Sequence, residues 1–403
     1  MGMKVDKSKW EKKTLGEVCI FKRGLTYPKS EECHVPSSNI VLRSNNIDLD
    51  TYSLVFSDLK YLSDTYEIPS EKKIVKDSIL MCMSNGSSAH IGKVAFIDRE
   101  YDCAFGGFMG LIIPHHVFPK YLYYNYRSKS FKDFLLKIGN GINITNLKFS
   151  SISPYPILIP NFEIQQSIAS ELDAIQTMID GYKAQLDDLD DLAKSIFLDM
   201  FGDPVTNPKG WEKHKLGDKC EVSSSKRVLV KDMVKEGIPF IRGTELALLS
   251  KNTSFDNSIF SLFITREKYE EVKAITGIPR LNDLLIPSIN PYGYVWKVNT
   301  EEPLYFKDGR VIWIHLNNSF DSDCLRFILE SEIKEKYSKL TGAVFAELTL
   351  VFLRNLSIIV PPLPLQQQFA AKIEAIETQK EKYKAQLADA EQLMAERMQY
   401  YFS

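Results

Sequence analysis

The chain contains one internal repeat, displaced by 201 residues. Trp10 recurs as Trp211, and the segment Tyr182–Leu186 recurs unchanged as Tyr383–Leu387. Each copy is about 200 residues long, which is enough chain to bury a hydrophobic core of its own. The repeat therefore predicts two similar units related by a pseudo-twofold axis.

Each copy has the same internal order, a mixed segment followed by one long helix. The mixed segments contain short β-branched and aromatic runs separated by Gly, Asn and Ser, which is typical of strands and turns, with helices embedded among them. We expect an α+β fold of two globular domains joined by two long helices. The predicted boundaries are 1–160 and 202–361 for the domains, and 161–201 and 362–403 for the helices.

The two helical segments carry apolar residues spaced mainly by four and three positions, which is the heptad pattern of a coiled coil. A stripe of this length is too long for one domain to cover, so we expect the two helices to pair as antiparallel partners. Two independent amphipathic helices, each packed on its own domain, are the alternative. The predicted seam comprises Ile168, Leu172, Ile175, Ile179, Tyr182, Leu186, Leu189, Phe369, Ile373, Ile376, Tyr383 and Leu387.

The charge of −2 is unevenly distributed along the chain. Residues 1–160 hold 21 Lys and Arg against 16 Asp and Glu, a net +5, whereas residues 161–201 hold 2 against 9, a net −7. An acidic helix repels phosphates, so any nucleic acid should bind to the globular domains. No apolar run is long enough to span a membrane, and the start does not resemble a signal peptide, so we expect a cytoplasmic protein.

Apparent catalytic and metal motifs are better explained as structure. Asn290-Pro291-Tyr292 resembles a signature of amino-methyltransferases, but it lacks the second proline, and Gly293 aligns with Gly92, which favours a hairpin turn. The glycine-rich segment 105–110 has the wrong spacing for a cofactor loop. The six cysteines show no metal-binding or redox spacing. We therefore predict no catalytic residue, no metal site and no cofactor on this chain.

The order of domain, helix, domain, helix resembles the specificity subunit of type I restriction–modification systems. The resemblance covers residues from about 10 to 403. It includes the two segments that lead from a strand through a proline into a long helix and carry Gln165-Gln166 and Gln366-Gln367. The most specific match is the junction from Met200 to Trp211. The resemblance implies that each domain recognises one half of an asymmetric bipartite site in double-stranded DNA, while the helices set the gap between the halves.

The resemblance also implies partners. The helices would dock two modification (methyltransferase) subunits, which would bind S-adenosylmethionine and methylate adenine, and restriction (motor-nuclease) subunits would join them. The alternatives are a stand-alone DNA methyltransferase with two recognition domains and a coiled-coil adaptor that does not bind DNA. The sequence does not give the DNA target of either half, the spacer length or the oligomeric state.

DNA recognition requires polar side chains that reach base edges and cations that contact phosphates. Loops that follow predicted strands supply both, in the same places in each copy. In the first domain the candidates are Lys22, Arg23, Tyr27, Arg43, Asn45, Asn46, Asn85, Ser87, His90, Lys93, Asn140, Asn143, Thr145, Asn146 and Lys148. In the second they are Ser224, Ser225, Lys226, Arg227, Arg242, Thr244, Ser288, Asn290, Tyr292, Lys297, Lys307 and Arg310.

Overall fold

A computed structural model describes residues 5–138, 146–251, 255, 257–317, 320–339 and 347–403. It divides into two compact units. Unit 1 comprises Met1–Tyr182 and Leu387–Ser403, and unit 2 comprises Lys183–Gln386. Each unit therefore contains one mixed segment together with part of each long helix.

The strands of unit 1 form three small sheets. β1 pairs with β10, a second sheet has the order β2-β9-β6-β7, and a third has the order β3-β5-β4-β8. All pairs are antiparallel except β4 with β8, which is parallel. The strands are β1 (Glu11–Thr14), β2 (Cys19–Arg23), β3 (Glu32–Cys33), β4 (Asn39–Leu42), β5 (Lys60–Leu62), β6 (Ile79–Cys82), β7 (Val94–Phe96), β8 (Cys103–Phe105), β9 (Met109–Pro114) and β10 (Pro156–Ile159).

The helices of unit 1 pack around aromatic side chains. α2 begins with Pro119 at its first turn, where a missing N–H is harmless, and it buries Tyr121, Tyr124 and Tyr126. Ser128 adopts an extended backbone that separates α2 from α3. The helices are α1 (Leu15–Val18), α2 (Pro119–Arg127), α3 (Lys129–Ile138), α4 (Phe149–Ile152) and the first part of α5 (Phe162–Phe201).

Unit 2 repeats this strand order. β11 pairs with β20, and the other sheets have the orders β12-β19-β16-β17 and β13-β15-β14-β18, with β14 and β18 parallel. The repeat in the sequence is thus a repeat of topology. The strands are β11 (Lys213–Lys215), β12 (Cys220–Ser223), β13 (Met233–Val234), β14 (Ile238–Ile241), β15 (Phe263–Ile264), β16 (Leu284–Pro287), β17 (Trp296–Lys297), β18 (Tyr305–Phe306), β19 (Val311–Leu316) and β20 (Ser357–Ile359).

The helices of unit 2 follow the order of those of unit 1, with two additions and with the single helix α9 in the place of α2 and α3. α7 and α8 lie in a segment where unit 1 has 3-10 turns and loops. This difference falls between the matched strands, where the two copies also differ most in sequence. The helices are α6 (Leu216–Lys219), α7 (Gly243–Leu249), α8 (Arg266–Thr276), α9 (Ser322–Ser338), α10 (Leu350–Asn355) and α11 (Leu363–Phe402).

The long helices α5 and α11 pair within each unit. In unit 2 the rings of Phe197 and Phe201 each lie 5.5 Å from the ring of Phe369, while Lys380 Nζ lies 2.5 Å from Asp190 Oδ1. The partner number falls as the α5 number rises, so the helices are antiparallel. In unit 1, Arg397 pairs with Glu171, with Nε 2.7 Å from Oε1 and Nη2 donating to Oε2 at 3.2 Å. The predicted α+β fold with antiparallel long helices is confirmed.

The apolar residues of α5 and α11 form part of the buried core of each unit. In unit 1, Ile168 to Ile179 of α5 and Ala390 to Phe402 of α11 belong to one buried cluster. In unit 2, Ala193 to Phe201 and Phe369 to Ile376 belong to another. The seam residues nearer the middle of each helix are half-buried, namely Tyr182, Leu186, Leu189, Tyr383 and Leu387.

A buried glutamine fixes the start of each long helix. In unit 1, Gln165 Oε1 accepts from the backbone N–H of Phe118 at 2.7 Å, and its Nε2 donates to the carbonyl of Pro160 at 2.8 Å. In unit 2, Gln366 makes the same two bonds, to Asp321 N–H at 2.9 Å and Pro361 carbonyl at 2.8 Å. Each glutamine ties α5 or α11 to the chain entering α2 or α9.

Candidate nucleic-acid interface

In unit 1 the loops that carry most of the predicted contacts emerge at one end of the β2-β9-β6-β7 sheet. Arg23, at the end of β2, lies opposite Gly110, and Cys82, at the end of β6, lies opposite Met109 at the start of β9. Antiparallel pairing thus brings the loops after β2 and β6 together with the loop before β9. We call this end, together with the loops that adjoin it, loop surface 1.

The loop that follows β4 joins the same surface. β4 runs parallel to β8, so both strands end at the same side, and Gly106 N–H donates to the carbonyl of Leu42 at 2.9 Å. Asn85 Nδ2 donates to Ser44 Oγ at 2.8 Å, which links the loop after β6 to the loop after β4. A β-bridge between Ser84 and Asn146 adds the segment before α4.

Several cations of loop surface 1 are available for phosphates. Lys22, Arg23 and Lys148 make no ion pair with any described residue, and Arg23 and Lys148 are exposed. Arg43 differs, because its guanidinium donates to Asp58 Oδ2 at 3.2 Å, and the neighbouring Asn45 donates to the same oxygen at 2.8 Å. This carboxylate holds the two side chains side by side while both remain partly accessible.

Two of the predicted contacts in unit 1 are internal, which corrects the expectation of accessible side chains. Asn46 is fully buried, because its Oδ1 accepts from Arg43 N–H and its Nδ2 donates to the carbonyls of Val55 and Ser57. Lys93 is 5% exposed, and its ammonium donates to the Ile47 carbonyl at 2.7 Å. A short polar side chain in a loop satisfies buried carbonyls as readily as it contacts a ligand.

Burial also changes the titration of groups in and next to loop surface 1. Burial lowers the pKa of Lys93, against the opposing effect of nearby Cys82 and Asp48. Burial raises the pKa of the Cys82 thiol to about 11. Burial, then the charge of Glu32, raises the pKa of Tyr27, which lies after β2 and packs on the cluster of the neighbouring sheet. The raised pKa values keep the Cys82 thiol and the Tyr27 hydroxyl protonated at neutral pH.

The remaining candidates of unit 1 lie on the loop after β6 or on the segment before α4. Ser87 and Asn146 are exposed, and His90 is half-buried in the 3-10 turn Ser88–His90. Asn140, Asn143 and Thr145 fall outside the described residues.

Unit 2 brings the corresponding loops together at the same end of its own sheet, which we call loop surface 2. Lys307 N–H donates to the carbonyl of Ile241 at 2.9 Å, as Gly106 does to Leu42 in unit 1. Ser288 N–H donates to the carbonyl of Arg310 at 2.9 Å, and Leu348 N–H donates to the carbonyl of Ser288 at 2.7 Å. Ser224, Ser225, Lys226 and Arg227 follow β12, and Arg242 and Thr244 follow β14.

As on loop surface 1, some cations of loop surface 2 are unpaired and others are held in ion pairs. Lys226, Arg227 and Lys307 are exposed and make no ion pair with the part of the chain that the structure describes. Arg310 pairs with Glu347 at 3.1 Å, and Arg242 pairs with Glu245. The hydrogen bond to Glu245 raises the pKa of Arg242. Burial is the largest single influence on the pKa of Glu245 and would raise it, but the hydrogen bonds from Arg242, from its own backbone N–H and from Thr244, with the charge of Arg242, together lower that pKa.

Three predicted contacts of unit 2 require correction. Asn290 is 1% exposed, since both ends of its amide bond the backbone of Tyr294. Ser288 is 2% exposed and donates to Glu347. Lys297 lies opposite Leu284, at the other end of the sheet, and its ammonium is paired with Asp323 at 2.8 Å.

Other predicted side chains of unit 2 have mixed roles. The hydroxyl of Ser224 donates to the carbonyl of Val311, and that of Ser225 donates to the carbonyl of Phe306. Thr244 is exposed and donates to Glu245. Tyr292 is 67% exposed, which leaves its ring accessible.

Three residues of these surfaces were not predicted from the sequence. Phe108 is 71% exposed at loop surface 1, although an aromatic residue in an apolar run predicts a core position. Lys72 donates to the carbonyl of Arg23 at 3.0 Å and so adds a cation beside β2. Glu347 lies on the segment before α10, and its contacts with Arg310 and Ser288 are visible only in three dimensions.

Among the residues that the structure describes, no group of three or more His, Cys, Asp or Glu side chains could hold a metal ion. No helix in the described part of the chain has both the length and the apolar content that crossing a bilayer requires.

A family model for the type I restriction modification DNA specificity domain matches residues 7–189 and again residues 208–391. The two matches cover most of the chain and follow the internal repeat. The chain belongs to this family. Its two copies of the domain correspond to the two mixed segments, each with most of the helix that follows it.

Specificity subunits of type I restriction enzymes are similar to this chain over different shares of its length. The StySPI specificity subunit of the type I restriction enzyme from Salmonella potsdam is 28% identical over 191 residues, which is 46% of this chain and 40% of that protein. The MjaIX specificity subunit from Methanocaldococcus jannaschii is 27% identical over 329 residues, which is 76% of this chain and 74% of that protein. The matched part thus spans less than half of the Salmonella relative.

A solved structure of similar fold is the S subunit of a type I restriction–modification system from M. genitalium. It is 16% identical, has a TM-score of 0.56 and is matched over 100% of this chain and 99% of that chain. A second, from work on complex assembly and conformational transition of the type I R-M system, has a TM-score of 0.54 at 17% identity, and is matched over 98% of this chain and 97% of that chain. At these identities the likeness concerns the fold.

Proposed function

We propose that this chain is the DNA-recognition subunit of a type I restriction–modification complex. Each unit recognises one half of an asymmetric bipartite site in double-stranded DNA through its loop surface. The proposal gives the chain no catalytic role, and it places the chain with its DNA in the cytoplasm of a prokaryotic cell. Family membership and the two repeated loop surfaces support it together.

The observation that carries the proposal is the gathering of unpaired cations at one sheet end in both units, with accessible amides beside them in unit 1. In unit 1 this end has Arg23 and Lys148, and in unit 2 it has Lys226, Arg227 and Lys307. Cations without a carboxylate partner contact phosphates without first breaking an ion pair, so they supply the general affinity for DNA. Side chains such as Asn45 and Ser87 supply hydrogen-bonding groups for base edges.

Differences between the two loop surfaces account for an asymmetric target. The loop before β9 is Gly106-Gly107-Phe108, whereas the loop before β19 is Lys307-Asp308-Gly309-Arg310. The units share strand order but present different side chains at the same places. Two unlike surfaces of this kind select two unlike half-sites.

The proposal assigns the chemistry to partners. Two modification subunits dock on the long helices, bind S-adenosylmethionine and methylate adenine, and restriction subunits with motor and nuclease activities join them. The chain itself needs no cofactor in this scheme.

Binding-site selection tests the proposal. The chain is copurified with its modification subunits and incubated with a random duplex library, and the bound DNA is sequenced. We expect two short motifs separated by a fixed number of unspecified base pairs. Recovery of a single continuous motif, or of no motif, would contradict the proposal.

A methyl-transfer assay separates the proposal from a stand-alone methyltransferase. The purified chain alone is incubated with the selected duplex and labelled S-adenosylmethionine, beside the complex that contains the modification subunits. We expect transfer only with the complex. Transfer by the chain alone would favour the enzyme instead.

A further inference from the structure

Loop surface 1 exposes the large apolar side chain of Phe108 among polar and cationic groups. Phe108 is 71% exposed, and Arg23, Asn85 and Lys148 share the surface with it. A phenyl ring leaves water when a ligand covers it, and it offers a flat face on which a nucleic-acid base can stack.

The backbone of Phe108 is held in place. Its carbonyl accepts from the N–H groups of Met83 at 2.9 Å and Ser84 at 3.1 Å, and Met109 N–H donates to the carbonyl of Gly106 at 2.8 Å. The ring therefore projects from a fixed turn, and little loop entropy is lost when it binds a partner.

Glycines beside the turn allow this packing. A Cβ atom placed on Gly24 would lie 1.9 Å from the carbonyl oxygen of Gly106, and one placed on Gly107 would lie 3.2 Å from Thr26 Oγ1. The turn that presents Phe108 thus lies directly against the end of β2, where Arg23 is found. Phe108 and this cation are therefore both exposed on neighbouring segments of loop surface 1.

Unit 2 has a different group at the matching position. Arg310 immediately precedes β19, as Phe108 precedes β9, and it is paired with Glu347 at 3.1 Å. An apolar ring in one unit and an ion pair in the other give the two loop surfaces different modes of contact. At this matched position the apolar contact belongs to unit 1 alone.

We propose that Phe108 inserts its ring at a base step of the half-site bound by unit 1 and stacks on a base there. This rests on the proposed function, because it assumes that duplex DNA covers loop surface 1. Aromatic and other apolar side chains wedge between base pairs and unstack them, most easily at pyrimidine–purine steps. Phe108 thereby selects a deformable step and needs no hydrogen bond to a base.

The test uses the complex of the full chain with its modification subunits and the duplex obtained by binding-site selection. 2-Aminopurine is placed at each position of the unit 1 half-site in turn, and its fluorescence reports local unstacking. Wild type should change the signal at one step, and Phe108→Ala should abolish that change. Affinity should fall between about fivefold and a hundredfold, the range found when a stacking aromatic is replaced by alanine.

Two further variants control for folding and for general surface effects. Phe108→Trp keeps a stacking ring and should retain the fluorescence change. Val35→Ala removes a side chain of similar exposure, 68%, from the loop before β4, and should bind as wild type. The salt dependence of binding should be unchanged in Phe108→Ala, because no charge is removed.

The outcomes separate the inference from the proposed function. If Phe108→Ala keeps both the affinity and the fluorescence change, the proposed insertion of the Phe108 ring is wrong, and the proposed DNA recognition is unaffected. If the wild-type complex does not distinguish the selected duplex from a random one, the proposed function itself fails. A loss in Phe108→Ala with retention in Phe108→Trp supports the inference.

Discussion

Polar residues of the loops have two separate jobs. Asn46 and Lys93 bond carbonyls inside unit 1, whereas Arg23 and Lys148 face solvent at loop surface 1. Composition and spacing do not distinguish these jobs, because the same donors serve both. The distinction depends on which backbone carbonyls lack partners after folding, and this is a property of the three-dimensional packing.

Replacing Arg23 and Lys93 in turn should therefore give opposite results. Arg23→Ala should weaken DNA binding by the complex and reduce the slope of log affinity against log salt by about 0.9, with little change in stability. Lys93→Met leaves the Ile47 carbonyl without its partner, so it should destabilise the chain by about 1–3 kcal/mol and leave the salt slope unchanged. Salt titration and urea unfolding measure the two effects. A reduced slope in Lys93→Met would contradict its internal role.

The glutamines at the starts of the long helices should contribute equally in both units. Gln165→Ala and Gln366→Ala each leave one N–H and one carbonyl unsatisfied in a buried place, which should cost about 2–4 kcal/mol of unfolding free energy. Gln166→Ala and Gln367→Ala remove the adjacent exposed side chains and serve as matched controls. If the controls were as destabilising as the buried pair, the two hydrogen bonds would not be the cause.

Among the elements, the pair of long helices shows which structural features the periodicity of the sequence predicts and which it does not. The four–three spacing predicts the long helices and their seam, because the same face must be covered at every turn. Lys380 interrupts this apolar spacing in α11. The structure buries Lys380 to 8% exposure and pairs it with Asp190 and Glu377, whereas its repeat mate Ile179 is an ordinary apolar seam residue.

This difference gives a prediction for the seam. Lys380→Ile should leave the stability unchanged or raise it by up to about 2 kcal/mol, because well-packed apolar residues commonly replace buried ion pairs without loss. Asp190 is 57% exposed and becomes hydrated when the lysine is removed. Lys382→Ile, at an exposed position of the same helix, is the control and should bring no gain. Destabilisation by more than about 1 kcal/mol in Lys380→Ile alone would show that the ion pair is required.

For the whole molecule, the sequence predicts the number of units, their common topology and the places where loops leave the sheets. The repeat supplies the first two, and the strand-ending segments at Arg23, Asn45 and Ser84 supply the third. The sequence does not show that Lys297 lies at the other end of its sheet, because strand register is set by tertiary pairing. Nor does it show Phe108 in solvent, because an apolar residue next to a strand predicts burial.

The long helices should act as a spacer between the half-sites. Insertion of one heptad into each helix, at paired positions, adds about 10 Å, which corresponds to up to about 3 bp along B-DNA. Binding-site selection on the altered complex should therefore recover the same two motifs with a longer gap. Insertion into one helix alone breaks the seam and should lower stability. An unchanged gap in the paired variant would refute the role of the helices as a spacer.

The central claim is that each loop surface determines one half of the DNA site, and half-specific relaxation is its most direct measurement. Binding-site selection is performed on the complex with the wild-type chain, with a double variant of unit 1 (Asn45→Ala and Ser87→Ala), and with a double variant of unit 2 (Thr244→Ala and Tyr292→Ala). We predict that the first variant relaxes base preference in one half-site only and the second in the other half-site only. Relaxation of both halves by either variant, or of neither half by both, would contradict the account.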